Sequence, residues 1–378
     1  MTMPAASATP PRIAYVVAPD GQAGGGMGRV KDYILSVGAD RDGTIVFRAL
    51  ITRDQRGVAW SLWLTLRAVC LIWLARCTGR LAFVHVNFGD KASALRKSMI
   101  VLAGRLAGAP VVLHLHAVQL HHHYASMPAI LRWLVAWPFR AATACIVLGD
   151  IWRRWLIEDL GVPPERVATV VNGVPVPLGP VRPAEAHEPV EIVFLGNLLE
   201  RKGVGDLLHA MALLPPSLPP VRLTLAGGGD MERYRAMAEE LGLTQKVDFT
   251  GWLDQEAARR LLQATDLLVL PSYDEGLPLV ILEALGCGAP VLCTPVGAIP
   301  KVLRDGTDAM FCRVGDPEDL VKRLGELIAD PALRHRLSAA GQASYSERFS
   351  LAAFIDRLFA VYRRQLHLDI WPPSEAAP

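Results

Sequence analysis

Short apolar runs alternate with longer segments of helical periodicity along almost the whole chain. In the first part, the runs that predict buried strands are Arg12–Ala18, Thr44–Ile51, Leu81–Phe88, Pro110–Leu115 and Ala144–Leu148. Helices are predicted between them, at about Gly28–Gly38, Trp60–Arg76, Ala92–Leu106 and Pro128–Ala141. Apolar strands separated by helices are typical of a parallel sheet that is covered on both faces. The pattern therefore predicts an α/β fold.

A proline-rich stretch divides the chain. Pro175–Pro189 contains five prolines and almost no periodicity, which predicts a linker. A second series of apolar runs follows at Glu191–Leu195, Val221–Ala226, Val247–Thr250, Asp266–Leu270 and Pro290–Thr294. We predict two Rossmann-like domains, residues 1–178 and 179–348, with parallel sheets facing across a cleft, and a C-terminal segment, 349–378, with an amphipathic helix. Ligands of such sheets lie at the carboxyl ends of the strands.

The composition is that of a folded protein with an uneven charge distribution. The 378 residues are 51% hydrophobic, with a mean hydropathy of +0.27, which excludes a disordered or nucleic-acid-coating chain. Residues up to Pro180 include 19 basic and 10 acidic side chains, and the remainder includes 20 and 27. The basic half suggests a surface for an anionic partner, such as lipid headgroups or a pyrophosphate. Uneven solvated charge is the alternative.

The six cysteines and the N-terminus give further expectations about location. The cysteines lie in apolar runs without a C-x-x-C pair, so we expect reduced core thiols of a cytosolic protein rather than metal ligands or disulfides. The first twelve residues have no apolar run after a basic start, so no signal peptide is expected.

The Trp60–Arg76 helix is nearly long enough to cross a bilayer. We expect that it does not, because Arg67 lies near its middle and the next strand must join the same sheet as Arg12–Ala18. Two interpretations stay open: a buried helix that covers the sheet, or one that also dips tryptophans into the membrane interface. The tryptophans are Trp60, Trp63 and Trp73, with Trp133 and Trp137 as a second candidate set.

The segment Pro271–Thr294 carries the strongest chemical signal. A strand ends at Pro271, a polar loop presents Glu275, and a helix begins near Pro278. Backbone N–H groups at such a helix start form a site for a phosphate. Carboxylates beside it, here Glu275 and Glu283, are good acceptors for sugar hydroxyls. Two solvated glutamates at a helix entrance are the alternative.

The loop Gly196–Lys202 supports a diphosphate ligand independently. It follows a strand and carries Arg201 and Lys202, two cations placed where a leaving diphosphate would gather charge. A solvated helix start is the alternative.

Glu275 and Glu283, with Gly276, Pro278 and the continuation E-A-x-x-x-G-x-P-V, resemble the E-x7-E signature of retaining GT-B glycosyltransferases of family 4. The resemblance implies that Glu275 holds the donor sugar's hydroxyls and Glu283 the ribose. It implies that the Leu279 and Val280 amides bind the diphosphate. It also implies donor contacts from Gly196, from the R-K-G motif at Arg201, and from the glycine loop at Gly25 and Gly26. In the family the final helix returns to the first domain.

Two histidines flank Leu115 at a strand end. We expect His114 and His116 to point to opposite faces, so that one enters the cleft while the other is packed. The resemblance implies that His116 contacts the reacting sugar; a structural histidine is the alternative.

No metal ion is expected at the site. The triplet His121–His123 cannot converge easily on one ion, and a mobile acceptor-side loop is preferred. The D-x-D pattern at Asp40–Asp42 is expected to be a solvent turn at the wrong end of the sheet. The cations of the site are then protein side chains.

The segment from Asp90-Lys91 to Arg96 and Lys97 resembles the acceptor side of bacterial exopolysaccharide glycosyltransferases. With the sequence LHLHA, this resemblance implies an α-mannosyltransferase that uses GDP-mannose and a polyprenyl-diphosphate-linked oligosaccharide. We therefore expect a peripheral protein at the cytoplasmic face of the membrane, without a nucleic-acid partner and without a cofactor.

Three alternatives stay open. In the first, the donor is a UDP-sugar instead of GDP-mannose; with either donor, backbone groups near Phe249–Gly251 contact the base. The chain is a nucleotide-dependent oxidoreductase built on the Gly24–Gly28 loop, with Asp54 as its acidic residue. Or it is a non-catalytic sugar-binding scaffold.

Overall fold

The computed structural model describes residues 10–90, 92–117, 120–182, 185 and 187–373. The described chain divides into two compact units. The N-terminal unit comprises residues 10–172 and 354–373, and the C-terminal unit comprises residues 173–353. The expectations for residues 1–9, Lys91 and Pro183 lie outside the described residues.

Each unit is built on one sheet. The strands of the N-terminal unit are β1 (Arg12–Ala18), β2 (Ile45–Ile51), β3 (Leu81–Phe88), β4 (Val111–Leu115), β5 (Ala144–Val147) and β6 (Val167–Thr169). Those of the C-terminal unit are β7 (Val190–Leu195), β8 (Val221–Ala226), β9 (Val247–Gly251), β10 (Leu267–Leu270), β11 (Val291–Cys293) and β12 (Met310–Phe311). The orders are β2-β1-β3-β4-β5-β6 and β12-β11-β10-β7-β8-β9, with every pair parallel.

Helices connect the strands. They are α1 (Gly21–Leu35), α2 (Val58–Cys77), α3 (Ala92–Leu106), α4 (Leu120–Tyr124), α5 (Ala129–Ala141), α6 (Asp150–Arg154), α7 (Val204–Leu213), α8 (Met231–Glu240), α9 (Gln255–Ala264), α10 (Leu279–Cys287), α11 (Ile299–Val302), α12 (Pro317–Ala329), α13 (Pro331–Ser344) and α14 (Leu351–Leu366). Short 3-10 turns occur at Pro164–Arg166 and Glu200–Lys202, and π-helical turns at Trp155–Asp159 and Tyr345–Phe349.

The predicted fold class is confirmed, because both units are parallel α/β structures, and the strands in the middle of each sheet are largely buried. The predicted apolar runs coincide with strands to within a few residues. β6, with three residues, and β12, with two, are not among the predicted strands. α1 begins at Gly21, earlier than the predicted Gly28, and bends at Gly25, whose φ of 53° and ψ of −134° are not helical.

Aromatic packing places the last helix in the N-terminal unit. The Tyr362 ring lies 4.8 Å from that of Phe83, and the Phe359 ring lies 5.6 Å from that of Phe47. Residues just before the predicted linker belong instead to the C-terminal unit. There the Val174 amide donates to the Phe349 carbonyl at 2.9 Å.

Two expectations about polar positions were wrong for some of their residues, although residues 41–44 do form an exposed turn. Cys70 and Cys77 are exposed on α2, whereas the other four cysteines are buried. Asp40 is buried rather than solvated, because its carboxylate accepts hydrogen bonds from Thr44 Oγ1 and from the Ile45 amide at the start of β2. Its side chain is thus occupied in holding a turn.

Candidate functional site

Three loops of the C-terminal unit leave its sheet side by side. β7 and β11 both pair with β10, so residues 196–203, 271–278 and 294–298 all follow neighbouring strands at the same edge. Gly196, Arg201, Lys202, Glu275 and Gly276 lie in these loops. This is the edge at which parallel α/β sheets bind their ligands.

An ion pair joins the first two loops. Lys202 Nζ contacts Glu275 Oε1, and Ser272 Oγ donates a hydrogen bond of 3.0 Å to the same oxygen. The side chains of Lys202 and Glu275 are 13% and 8% exposed. Removing one member of so shielded a pair typically costs about 3–5 kcal/mol, because the other charge is left uncompensated. The structure thus brings together Lys202, predicted to face the leaving diphosphate, and Glu275, predicted to hold the donor sugar.

Arg201 lies against the same loop but is exposed. Its Nη1 donates to the Asp274 carbonyl at 3.2 Å, and its own carbonyl accepts from the Tyr273 amide at 2.8 Å. The neighbouring charges therefore have different environments. Lys202 is desolvated beside a carboxylate, whereas the Arg201 guanidinium still faces water.

The third loop, residues 294–298, approaches the backbone of Glu275 closely. Gly297 has a φ of +60°, and a Cβ built on it would lie 1.9 Å from the Glu275 carbonyl oxygen. The Ala298 amide donates to the Gly276 carbonyl at 2.9 Å. Only glycine fits where two backbones approach so closely at positive φ.

We expect Gly297→Ala to lower the free energy of unfolding by about 3 kcal/mol, more than the 1–2 kcal/mol of a left-handed alanine alone. Gly306→Ala is the matched control, since Gly306 has a φ of +68° with nothing within 4 Å of its Cβ position. Urea unfolding measures both variants. Equal losses in the two would contradict the close approach at Glu275.

Glu283 lies on α10, all of whose residues are buried, and is itself only 6% exposed. The helix begins after Pro278, with the Ile281 amide donating to the Pro278 carbonyl at 3.2 Å. Leu279 and Val280 form its first turn, as the phosphate-site prediction requires. Glu275 accepts hydrogen bonds from Lys202 and Ser272 in the loops that precede this helix.

Arg201 also borders a surface cavity of about 660 Å³ between the Glu200–Lys202 turn, α7 and α8. Tyr273 and Asp206 line it too, and the Tyr273 hydroxyl donates to Asp206 at 2.7 Å. That hydrogen bond, with burial, raises the pKa of Tyr273 to about 12. Lys202 and Glu275 do not line this cavity, so it overlaps the predicted site at Arg201 alone.

The N-terminal unit holds three neighbouring imidazoles: His85 within β3 and His114 within β4 are buried, and His116 just after β4 is half-buried. The ring centroids of His85 and His114 are 5.5 Å apart, and those of His114 and His116 are 4.2 Å apart. The expectation that His114 and His116 point to opposite faces was therefore wrong. Alternate residues of a strand share a face, which the i, i+2 spacing already required.

Asn87 fixes the tautomer of His116. Its Nδ2 donates to the Val17 carbonyl at 3.3 Å, which leaves Oδ1 facing His116 Nε2 at 2.9 Å. A carbonyl oxygen can only accept, so Nε2 carries the hydrogen and Nδ1 is the acceptor. Burial, with Lys97 and His85 as lesser causes, lowers the pKa of His116 to about 3.

We expect His116 to stay neutral in the Nε2–H form at every pH above about 3, because its protonated form is desolvated and faces Lys97. Ring ¹⁵N chemical shifts, assigned with His116→Gln, measure this. Asn87→Leu removes the acceptor and should mix the two tautomers. Titration of the wild-type ring near 6.5, the ordinary value, would contradict it.

Lys97 lies on α3 of the N-terminal unit, and it is only 1% exposed. Its Nζ lies 2.9 Å from Met27 Sδ, and it has no carboxylate partner among the described residues. Burial, with the Arg96 charge as a lesser cause, lowers the pKa of Lys97 to about 7. Arg96 Nε is also buried without a hydrogen-bond partner in the described chain. A buried cation such as Lys97 without a counter-charge is costly, and an anionic ligand would compensate it.

Family models match each unit separately. The model "Glycosyl transferase 4-like domain" matches residues 12–173, and "Glycosyl transferases group 1" matches residues 181–344. The chain belongs to the family 4 glycosyltransferases. The predicted family is therefore confirmed, and the oxidoreductase alternative was wrong. Asp54, the acidic residue of that alternative, instead accepts hydrogen bonds from Arg56 and Trp60.

Curated relatives of the transferase differ in their named activities. A D-inositol 3-phosphate glycosyltransferase from Corynebacterium jeikeium is 34% identical over 45% of this chain and 42% of its own length. A phosphatidyl-myo-inositol mannosyltransferase from Mycobacterium leprae is 31% identical over 57% and 58%. The chain thus spans about half the length of the curated relatives that it matches.

A solved structure covers nearly the whole transferase. The crystal structure of HepE from Anabaena in complex with UDP-glucose has a TM-score of 0.70 at 18% identity, over 94% of this chain and 100% of that one. A likeness at this identity confirms the GT-B fold alone. The roles of the individual site residues stay predictions.

The remaining sequence predictions concern glycines and metals. In the transferase, Gly25 and Gly26 are exposed within α1, and Met27 joins this segment to Lys97. His121 to His123 lie on α4, with the rings of His121 and His122 3.9 Å apart. No group of three His, Cys, Asp or Glu is placed to hold a metal within the part of the chain that the structure describes.

Proposed function

We propose that the transferase moves a sugar from a nucleotide-diphospho-sugar to an acceptor with retention of anomeric configuration. The contact between Lys202 and Glu275, at the edge where three loops leave the sheet, carries this proposal. It places a cation and a hydroxyl acceptor together in a desolvated setting, as breaking a sugar–diphosphate bond requires.

The residues divide the work by their chemistry. Lys202 and Arg201 stabilise the charge that gathers on the departing diphosphate, and the amides of Leu279 and Val280 at the start of α10 add to it. Glu275 accepts hydrogen bonds from the donor sugar, and Glu283 accepts them from the ribose. Attack occurs from the face that the diphosphate leaves. His116, neutral and oriented by Asn87, contacts the reacting sugar.

We propose GDP-mannose as the donor and a UDP-sugar as the second candidate. The Mycobacterium leprae relative, named a mannosyltransferase, supports mannose, whereas the HepE complex with UDP-glucose supports uridine. The base contacts backbone groups near Phe249–Gly251 in either case. Calorimetric titration with GDP and with UDP separates the two, since the correct base should bind at least about tenfold more tightly.

We propose that the acceptor is a polyprenyl-diphosphate-linked oligosaccharide of bacterial exopolysaccharide synthesis, used at the cytoplasmic face of the membrane. The buried ammonium of Lys97 and the buried Nε of Arg96 support an anionic acceptor group. The named activities of the relatives do not agree on an acceptor, so the proposal rests on these residues and on the resemblance of their segment.

Release of nucleoside diphosphate from a panel of sugar nucleotides tests the activity. We expect release from one donor with a polyprenyl-diphosphate acceptor, and its loss in Glu275→Ala. A stable wild type that is inactive across the panel would support the non-catalytic scaffold. Retention of activity in a folded Glu275→Ala variant would overturn the assignment of the site.

A further inference from the structure

The outward sides of three neighbouring helices in the N-terminal unit are apolar. α3 packs against α2 and against α5, so the three helices form one layer. Their exposed side chains include Trp63 (49%), Leu66 (55%), Leu95 (72%), Leu102 (43%), Leu131 (47%) and Trp133 (54%). We call the outward surface of α2, α3 and α5 the three-helix face.

The core of the unit does not require this apolar surface. α2 buries a separate stripe that includes Leu64, Ala68 and Ile72, and its outward positions are apolar as well. A helix that covers a sheet in water normally has a polar outer side. An exposed apolar surface shared by three helices is typical of a binding site rather than of chance exposure.

α2 is the one described helix that is long and apolar enough, by length and composition, to cross a bilayer. Its surroundings argue against crossing. It connects β2 to β3, which both pair with β1, and its inward stripe is buried against the unit along its length. It therefore lies along the unit with one side outward.

The charges of the three-helix face have one sign. α2, α3 and α5 together contain seven Arg or Lys residues, of which Lys97 is buried, and no Asp or Glu. Arg67, Arg105 and Arg132 are exposed, one on each helix. Basic side chains among exposed tryptophans and leucines complement anionic headgroups above an acyl boundary.

We propose that the three-helix face docks the transferase on an anionic lipid bilayer, with the helices lying in the plane of the interface. A second copy of the chain is the other candidate occupant. A two-fold contact would place this face against itself and bring arginine against arginine, which disfavours it. The three-helix face would bring the enzyme to a lipid-linked acceptor. This link to the acceptor rests on the proposed function, whereas binding to the bilayer does not.

Vesicle sedimentation of the full chain, without donor or acceptor, is the first test. We expect binding to phosphatidylcholine–phosphatidylglycerol vesicles to be at least about tenfold tighter than to phosphatidylcholine vesicles, and to weaken as salt is raised. Because no substrate is present, the result is separate from any failure of the transferase assay.

Matched double variants locate the binding face. Leu66→Ser/Trp133→Ser removes two exposed side chains of the three-helix face and should lower vesicle affinity about tenfold or more. Leu213→Ser/Trp252→Ser removes the same side chains where they are 63% and 62% exposed in the C-terminal unit, and should leave vesicle affinity unchanged. Circular dichroism and thermal midpoints establish that both variants fold.

Three outcomes would overturn the proposal. They are no sedimentation of the wild type with anionic vesicles, equal loss of binding in the two double variants, or a lipid-free dimer that only the Leu66→Ser/Trp133→Ser variant dissociates. Light scattering reports the last of these.

Discussion

Replacing Lys202 with methionine is expected to lower kcat by about 10²–10³-fold while the donor KM changes much less. Charge on the diphosphate grows mainly as the bond to the sugar breaks, so a cation at that position stabilises the transition state more than the bound donor. Initial rates over a range of donor concentrations separate the two effects. A variant whose kcat equals that of the wild type would remove Lys202 from the mechanism.

The partner of Lys202 complicates that single variant. Glu275 loses its counter-charge in Lys202→Met, so the protein should also lose about 3–5 kcal/mol of stability. Glu275→Gln has the converse effect, because it leaves the Lys202 ammonium without its carboxylate. The double variant Lys202→Met/Glu275→Gln has neither buried charge and should recover most of the free energy of unfolding.

Across the wild type, the two single variants and the double variant, we expect that activity does not follow stability. If Lys202 acts on the leaving group, the stable double variant stays inactive. If the pair serves only to hold the two loops together, activity returns with stability. Urea unfolding and single-turnover rates on the same four proteins distinguish the two roles. Recovery of turnover in the double variant would assign the pair a structural role.

The strands could be predicted from the sequence because their apolar runs are bounded by turn residues. β6 and β12 could not, since two or three paired residues give no periodic signal. The start of α1 was misplaced for another reason. A glycine-rich run predicts a loop by propensity, and only tertiary packing shows that it is helical on either side of Gly25.

The candidate site was predictable where one sequence segment carries the chemistry. Glu275 and Gly276 follow a strand in a motif with characteristic spacing, so local pattern sufficed. Lys202 and Glu275 are 73 residues apart, and the strand pairing of β7 with β10 brings them into contact. His114 and His116 are two residues apart along one strand direction, a spacing that places both side chains on the same face.

Other residues of the site gave no signal in the sequence. Ser272 and Asn87 are ordinary polar residues in apolar surroundings, and their roles depend on hydrogen bonds to Glu275 and His116. Gly297 is one of 32 glycines. Its requirement arises from the approach of the Glu275 backbone, a contact that no composition or spacing encodes.

Replacing Lys97 with methionine is expected to stabilise the fold and to impair the reaction with the acceptor. Burial lowers the pKa of this ammonium from 10.5 to about 7, so the folded state binds the proton less well than the unfolded state. At neutral pH and below, the full cost of this mismatch, on the order of a few kcal/mol, opposes folding. Methionine has similar length without the charge and should recover that free energy.

The difference in unfolding free energy between Lys97→Met and the wild type should depend on pH. Between pH 7 and 10.5 the wild type should gain stability as pH rises, because the unfolded chain releases the proton that the folded chain already lacks. Lys97→Met should lack this rise, so its advantage is largest at pH 7 or below and shrinks towards pH 10.5. Arg105→Met, an exposed cation on the same helix, is the control and should change little.

Keeping a destabilising buried cation makes physical sense when it binds an anion during function. The acceptor reaction of Lys97→Met should therefore fall at least about tenfold, while donor hydrolysis in the absence of acceptor stays near the wild-type rate. Urea unfolding across pH and the two rates measure both halves. A Lys97→Met variant that is less stable than the wild type at every pH would mean that the ammonium already has a compensating partner in the folded protein, and the argument for an anionic acceptor at this position would fail.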